Sequence, residues 1–183
     1  MKDIDARLIG LESGNTHADA LRLVLEIAIQ AVKAQEGSIL ILEAQSQELV
    51  FLMTGGDLLS EFTLRGQRLK VGQGLTGQAA MTGEVQVGAP TLRTISQPDH
   101  HDFKAPSQII AAPMFAGSLI VGAITAASYE AQRRFSIDDK VIFKRLAGVA
   151  GIIVSDRKHT WQGDDPLLGL TSGPNASQST VWW

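Results

Sequence analysis

Apolar residues recur at helical spacing near the two ends of the chain, and between those blocks they alternate or cluster in short runs. Leu21, Leu25, Ala28, Ile29 and Val32 share one face of a predicted helix, with Thr16 and Asp19 at its start. Leu23, Ile27, Ala31 and Ala34 make a second apolar face, more than a helix covering a single core needs. Glu36-Gly37 is expected to break this helix. The runs Ser38 to Glu43 and Glu48 to Met53 read as strands, and the polar stretch Ala44 to Gln47 gives them hairpin spacing. Glu61 to Val71 alternates around Phe62, Leu64, Leu69 and Val71, a third strand. A short helix over Gln78 to Thr82 is stopped by Gly83, and Val85 to Val87 makes a short strand.

Gln108 to Phe115 and Leu119 to Tyr129 form another strand pair, turning at Ala116-Gly117-Ser118. Ser136 with Asp139 has the spacing of a helix cap. The helix behind it is expected to bury Ile142, Leu146, Val149, Ala150 and Ile153, while Phe143, Ala147 and Val154 add apolar surface elsewhere. Lys158 and His159 suit the negative end of its dipole. Strands joined by short turns imply an antiparallel sheet, and terminal helices packed on one face make the class α+β. The division is an N-terminal segment over 1–15, one domain over 16–159 and a flexible tail over 160–183, with Trp182-Trp183 at its end. Ala89 to Ser107 shows no period and reads as a long loop, a kind of connection that often carries function.

At 183 residues the chain suits one sizeable core. Its net charge of -3 supplies no basic field, so nucleic acid is not an expected partner. The cysteine count is zero, which excludes disulfides, thiol nucleophiles, iron–sulfur clusters and cysteine-based zinc sites. The start, Met1 to Arg7, carries mixed charges and no apolar run, so no secretory signal is read there and a cytoplasmic location is expected. No charged residue lies between Lys104 and Glu130, but Pro113, Gly117-Ser118 and Gly122 interrupt the stretch. It reads as two buried strands and not as a membrane span.

Gly72-Gln-Gly74-Leu-Thr-Gly77 matches the dinucleotide fingerprint letter for letter. A long crossover helix and an acidic residue closing the next strand are both wanting, so the glycines read as a strand-to-helix turn. A nucleotide-dependent enzyme built on Gly72 to Gly77 is the least favoured class. Asp99-His100-His101-Asp102 has metal-binding residue types. Adjacent side chains point apart, however, so the run reads as a solvated loop and no metal site is expected. One histidine folded over a pocket stays open as a haem ligand or a proton-linked switch. Asp138-Asp139 are more simply a helix N-terminus than paired catalytic carboxylates. Asn175-Ala-Ser177 is a sequon without a signal, and no nucleophile elbow surrounds Ser107.

Taken together, three segments resemble a GAF domain, the small-molecule-binding sensor module of signalling proteins, as a single copy. They are Gly72-Gln-Gly-Leu-Thr-Gly-Gln-Ala-Ala-Met-Thr-Gly-Glu84, Ala112-Pro-Met-Phe-Ala-Gly-Ser-Leu-Ile-Val-Gly-Ala-Ile124 and Phe135-Ser-Ile-Asp-Asp139, leading into Leu146-Ala147. The resemblance spans about Thr16 to His159. It implies a six-stranded antiparallel sheet of GAF/PAS-like form, with terminal helices on one side and a pocket on the other under the loop and short helix. Cyclic-nucleotide members carry an Asn-Lys pair on the last strand and a Phe-x-x-x-Asp-Glu element. Ser128-Tyr129 and Phe135-x-x-Asp138-Asp139 stand there instead, which argues against cyclic nucleotides. Bilin-attaching members and free-methionine-sulfoxide reductases need a cysteine, so covalent bilin and that reductase chemistry are excluded in their usual form.

The expected function is a non-catalytic sensor that relays a bound small molecule through its terminal helices to a separate output protein. The expected pocket comprises Phe51, Met53, Leu75, Thr76, His100, Phe103, Ala111, Pro113 and Thr125. The alternative is a ligand-free interaction module. On either reading a homodimer forms through the terminal helices, with Gly148 and Gly151 allowing close approach.

Overall fold

The computed structural model describes residues 17–56, 64–90 and 105–160. Its elements are α1 (His17–Ala31), β1 (Glu36–Glu43), β2 (Glu48–Gly55), β3 (Arg68–Lys70), α2 (Gly74–Thr82), β4 (Gln86–Gly88), β5 (Gln108–Ala116), β6 (Leu119–Ser128) and α3 (Ile137–Thr160). The six strands form one sheet in the order β3-β2-β1-β6-β5-β4, and every pairing is antiparallel. This is the expected α+β architecture.

Local chemistry sets the boundaries. Helix α1 ends at Ala31, where Lys33 enters the left-handed region at φ 52°. Glu36-Gly37 therefore does not break the helix but opens β1. The third strand is reduced to Arg68–Lys70, because Leu64 to Gln67 form a turn, with the Gln67 amide donating to the Leu64 carbonyl. At the start of α3 the Ser136 hydroxyl accepts from the Asp139 amide at 3.1 Å, and the Asp139 carboxylate accepts from the Ser136 amide at 2.7 Å. That reciprocal cap is the one the Ser136/Asp139 spacing predicts. Arg133 extends it: Nη2 donates to Asp139 at 3.0 Å and to the Val32 carbonyl at 2.7 Å, tying the end of α1 to the start of α3. Among the described residues no helix is long and apolar enough to cross a membrane.

One face of the sheet is sealed by α1 and α3. From α1 it takes Leu21, Val24, Leu25, Ala28 and Ile29; from the strands come Ile39, Met53, Ile110, Ala112, Met114, Ile124 and Ala126. The buried face of α3 is Phe143, Ala147, Ala150 and Val154, with Leu146 and Ile153 packed at its margin. The stripe favoured by the sequence pattern is rotated from this one: Ala150 belongs to both and Leu146 and Ile153 reach the margin, but Ile142 and Val149 turn outward. Ile142 and Val149 are 40% and 46% exposed. Gly151 decides between the two: a Cβ there would lie 2.2 Å from the Phe115 carbonyl oxygen of β5, so the helix backbone rests directly on the strand. Gly151 is therefore used within the chain, whereas Gly148 faces open space.

At the far end of β1–β3, Arg68 donates to Glu43 at 2.6 Å and to Glu48 at 3.1 Å, while Ser46 donates to Glu43 at 2.6 Å. The Arg68 and Ser46 hydrogen bonds pull the Glu43 carboxyl down from 4.5 to about 2. A carboxylate with a lowered folded value favours the native state when ionised. Its contribution is complete above pH 4.5 and lost as the pH falls towards 2.

Two outcomes follow from this packing. Gly151→Ala should destabilise the fold by about 1–3 kcal/mol through overpacking. Gly148→Ala should be neutral or stabilising by up to about 1 kcal/mol through helix propensity. Urea denaturation of the pair checks this. Arg68→Ala should flatten the loss of stability between pH 4.5 and 2, read from the same titrations at stepped pH.

Candidate functional site

The opposite face of the sheet is built from rows that the register defines. Leu40 pairs with Phe51 and Ala123, and Ala123 pairs with Pro113, giving an apolar row. Leu49, Leu69 and Ala80 pack with it. Beside that row runs a polar one: Thr54 pairs with Ser38, Ser38 with Thr125, Thr125 with Ala111, and Ala111 with Gln86. Thr54, Ser38 and Thr125 are each buried. A third row runs through Glu36, Ala127, Ile109 and Gly88. Glu36 is held by the Tyr129 hydroxyl, which donates to its Oε2 at 2.6 Å.

Helix α2 covers this face. It begins inside the glycine motif, four residues earlier than the pattern suggested, because the glycines fold the preceding turn against it. Gly72 sits at φ 86°, its amide donates to the Gly77 carbonyl at 2.8 Å, and a Cβ on Gly77 would lie 2.5 Å from the Lys70 carbonyl oxygen. In an all-antiparallel sheet there is no βαβ unit, so these residues are the strand-to-helix turn and not a dinucleotide cradle. Thr76, Ala79 and Ala80 form the buried side of α2. Leu75 lies over Gly88, where an added Cβ would meet its Cδ2 at 3.4 Å. The far end is pinned by Gln86, whose Nε2 donates to the Thr82 hydroxyl at 3.1 Å.

The structure thus brings Phe51, Ala111, Pro113 and Thr125 onto one face and sets Leu75 and Thr76 on the helix above it. Met53 is separated from them. The β1–β2 register shifts between Ile39 and Leu40, leaving Leu52 as an extra residue on β2, so Met53 pairs with Ile39 and joins the core under the helices. His100 and Phe103 lie outside the described residues, as do Asp99 to Asp102 and most of the Ala89 to Ser107 loop. The loop's return is anchored by Ser107, whose amide donates to the Ser128 carbonyl at 2.7 Å and whose hydroxyl shares its one proton between the Ser128 and Glu130 carbonyls, 2.8 and 2.6 Å away. Among the described residues no cluster of three or more metal-ligating side chains occurs.

Pattern reading missed Ser38 and Thr54. The available signal was a hydroxyl inside an otherwise apolar strand run. Thr54 Oγ1 and Thr76 Oγ1 are both buried without a hydrogen-bond partner. On the other side of the same residue, the Thr54 carbonyl accepts from Arg22 Nη1 of α1 at 3.3 Å. The arrangement offers an apolar floor, hydrogen-bonding hydroxyls and one carboxylate at the margin. Among the described residues it contains no nucleophile–base pair.

A family model described as a GAF domain matches residues 14–155. No curated protein sequence matches the chain. Among solved structures, the GAF domain of an Acinetobacter phosphoenolpyruvate-protein phosphotransferase aligns with a TM-score of 0.66 at 15% identity, covering 88% of this chain and 95% of that one. The corresponding domain from Coxiella burnetii aligns at 0.67 and 18% identity, covering 86% and 94%. A free methionine-R-sulfoxide reductase from Neisseria meningitidis, solved with its substrate, aligns at 0.53 and 19% identity, covering 79% and 92%. At these identities the likeness is one of fold.

Proposed function

Since the chain belongs to the GAF domain family, a common class of sensor and regulatory module, we propose that it is a non-catalytic sensor binding a small molecule between the far face of its sheet and α2. The observation that carries this reading is the pair of buried, unpartnered hydroxyls of Thr54 and Thr76. A buried hydroxyl without a partner costs about 1–3 kcal/mol, and a ligand that hydrogen-bonds to it recovers that cost. The free-methionine-R-sulfoxide reductase neighbour is an enzyme, but this chain has no cysteine for thiol-based reduction.

The relay would run through Thr54 itself. Its hydroxyl belongs to the far face and its carbonyl is held by Arg22 on α1. A ligand favouring one position of β2 therefore biases α1, and through the Arg133 link between Val32 and Asp139 it biases α3 as well. The output would be a separate protein, and the setting cytoplasmic.

A second reading rests on α3. Val141, Ile142, Val149 and Ile152 are exposed on the side opposite its buried stripe, with Gly148 open among them. This stripe fits a second copy of the chain, so dimerisation through the terminal helices accompanies sensing or, as the alternative, replaces it.

Native mass spectrometry of protein purified from its own host should show a retained small molecule of defined mass. Added back, that molecule should slow amide exchange in α1 as well as in β2. Arg22→Ala should keep the effect in β2 and lose it in α1. For the dimer, Ile152→Glu should convert the protein to a monomer at micromolar concentration in light scattering, with its melting temperature little changed by the exposed substitution itself.

A further inference from the structure

The polar row states what kind of molecule suits this site. Within the three rows and α2, Glu36 is the one charged side chain among the described residues; the Arg22 guanidinium that meets the Thr54 carbonyl comes from α1, on the other side of the sheet. By strand alternation Glu36 stands two residues from Ser38 on the same face, with Tyr129 already filling one of its acceptor positions. Asp139, the buried acid among the described residues, belongs to the helix cap and faces Arg133 and Ser136. An anionic group placed beside Thr54 and Ser38 would be desolvated next to a carboxylate with no described counter-ion, which is costly. A carboxylate accepts but cannot donate, whereas each threonine hydroxyl can do both.

We propose that the site selects a molecule without negative charge, with a largely apolar body and one amide-like group, which donates towards Glu36 and accepts from Thr54, and that it rejects carboxylates and phosphates. This rests on the sensor reading above and adds the ligand's chemical class to it. The apolar row of Leu40, Phe51, Ala123 and Pro113 takes the body, and the hydroxyl row takes the head. Thr54 is then retained for recognition at a cost to the free protein, a trade that active and binding sites commonly show.

The test uses matched probes, nicotinamide with nicotinate and indole-3-acetamide with indole-3-acetate, followed by calorimetry and thermal shift on the full chain at pH 7. At least one amide should bind tenfold or more tightly than its acid, and Glu36→Gln should narrow that gap. Thr54→Val should leave the melting temperature of the ligand-free protein unchanged or raised, because no hydrogen bond is lost, while weakening amide binding about tenfold. An acid that binds as well as its amide, or an anionic molecule retained in native mass spectrometry, overturns the inference and leaves the sensor reading standing. So does a Thr54→Val protein that melts lower, since the hydroxyl would then be structural. If no probe binds and nothing is retained by protein from its own host, the sensor reading fails and this inference fails with it.

Discussion

The two terminal helices lie on the sheet only because side chains are missing where they meet it. Gly37 and Gly55 face each other across β1 and β2, directly beneath α1. A Cβ on Gly37 would stand 2.8 Å from Ile29 Cγ1 and 2.7 Å from the Thr125 carbonyl oxygen. Gly151 does the same for α3 against the backbone of β5. These approaches bring whole helices into van der Waals range, so the packing on that side is dense; its hydrogen bonds run through the Ser136–Asp139 cap and through Arg133, whose Nε is itself buried without a partner. The opposite side is finished differently. A nine-residue helix covers part of it, and two of its hydroxyls have nothing to bond.

Much of this was legible in the residue pattern, because strand alternation and helix caps are local. Ser136 and Asp139 announce the start of α3, and the Gln108 to Phe115 and Leu119 to Tyr129 runs lie within one residue of β5 and β6. The facing of α3 was not legible. Both of its stripes are apolar, and periodicity cannot rank two good stripes. What ranks them is a glycine whose missing side chain faces a strand distant in sequence, and that is a tertiary fact. The same holds for Gly72 to Gly77. The letters of a phosphate-binding loop are shared by any turn that must fold tightly against a helix, and the antiparallel sheet around them removes the dinucleotide reading.

The site was legible for the residues that follow simple alternation and illegible where a bulge intervenes. Phe51 and Met53, two apart, belong to one face of an ideal strand. The extra residue Leu52 puts them on opposite faces. Val121 plays the same part on β6, between Gly122 and Ile120. Neither bulge has a glycine or proline at the extra residue to mark it. Ser38 and Thr54 were passed over for a different reason. Threonine is at home in strands, so a hydroxyl in an apolar run looks like ordinary propensity until its lack of a partner is seen.

Thr54 shows why the two sides of the sheet need not be independent. Its hydroxyl is free on one side, and its carbonyl is engaged by Arg22 on the other. A ligand moves such a system only by its differential affinity for two positions of the strand. One net hydrogen bond, about 0.5–1.5 kcal/mol, is the natural size of that difference. Tenfold in an equilibrium is about 1.4 kcal/mol, so a single bond made in one position and not the other biases α1 by up to roughly that factor. An anionic contact would give more, but it needs a cationic partner, and the charge that the described rows hold is the Glu36 carboxylate. The modest size suits a module whose helices are held by glycine contacts and by the hydrogen bonds of Arg22 and Arg133: a stronger pull would have to displace backbone from backbone at Gly151, while a tenfold bias asks only that β2 shift under α1.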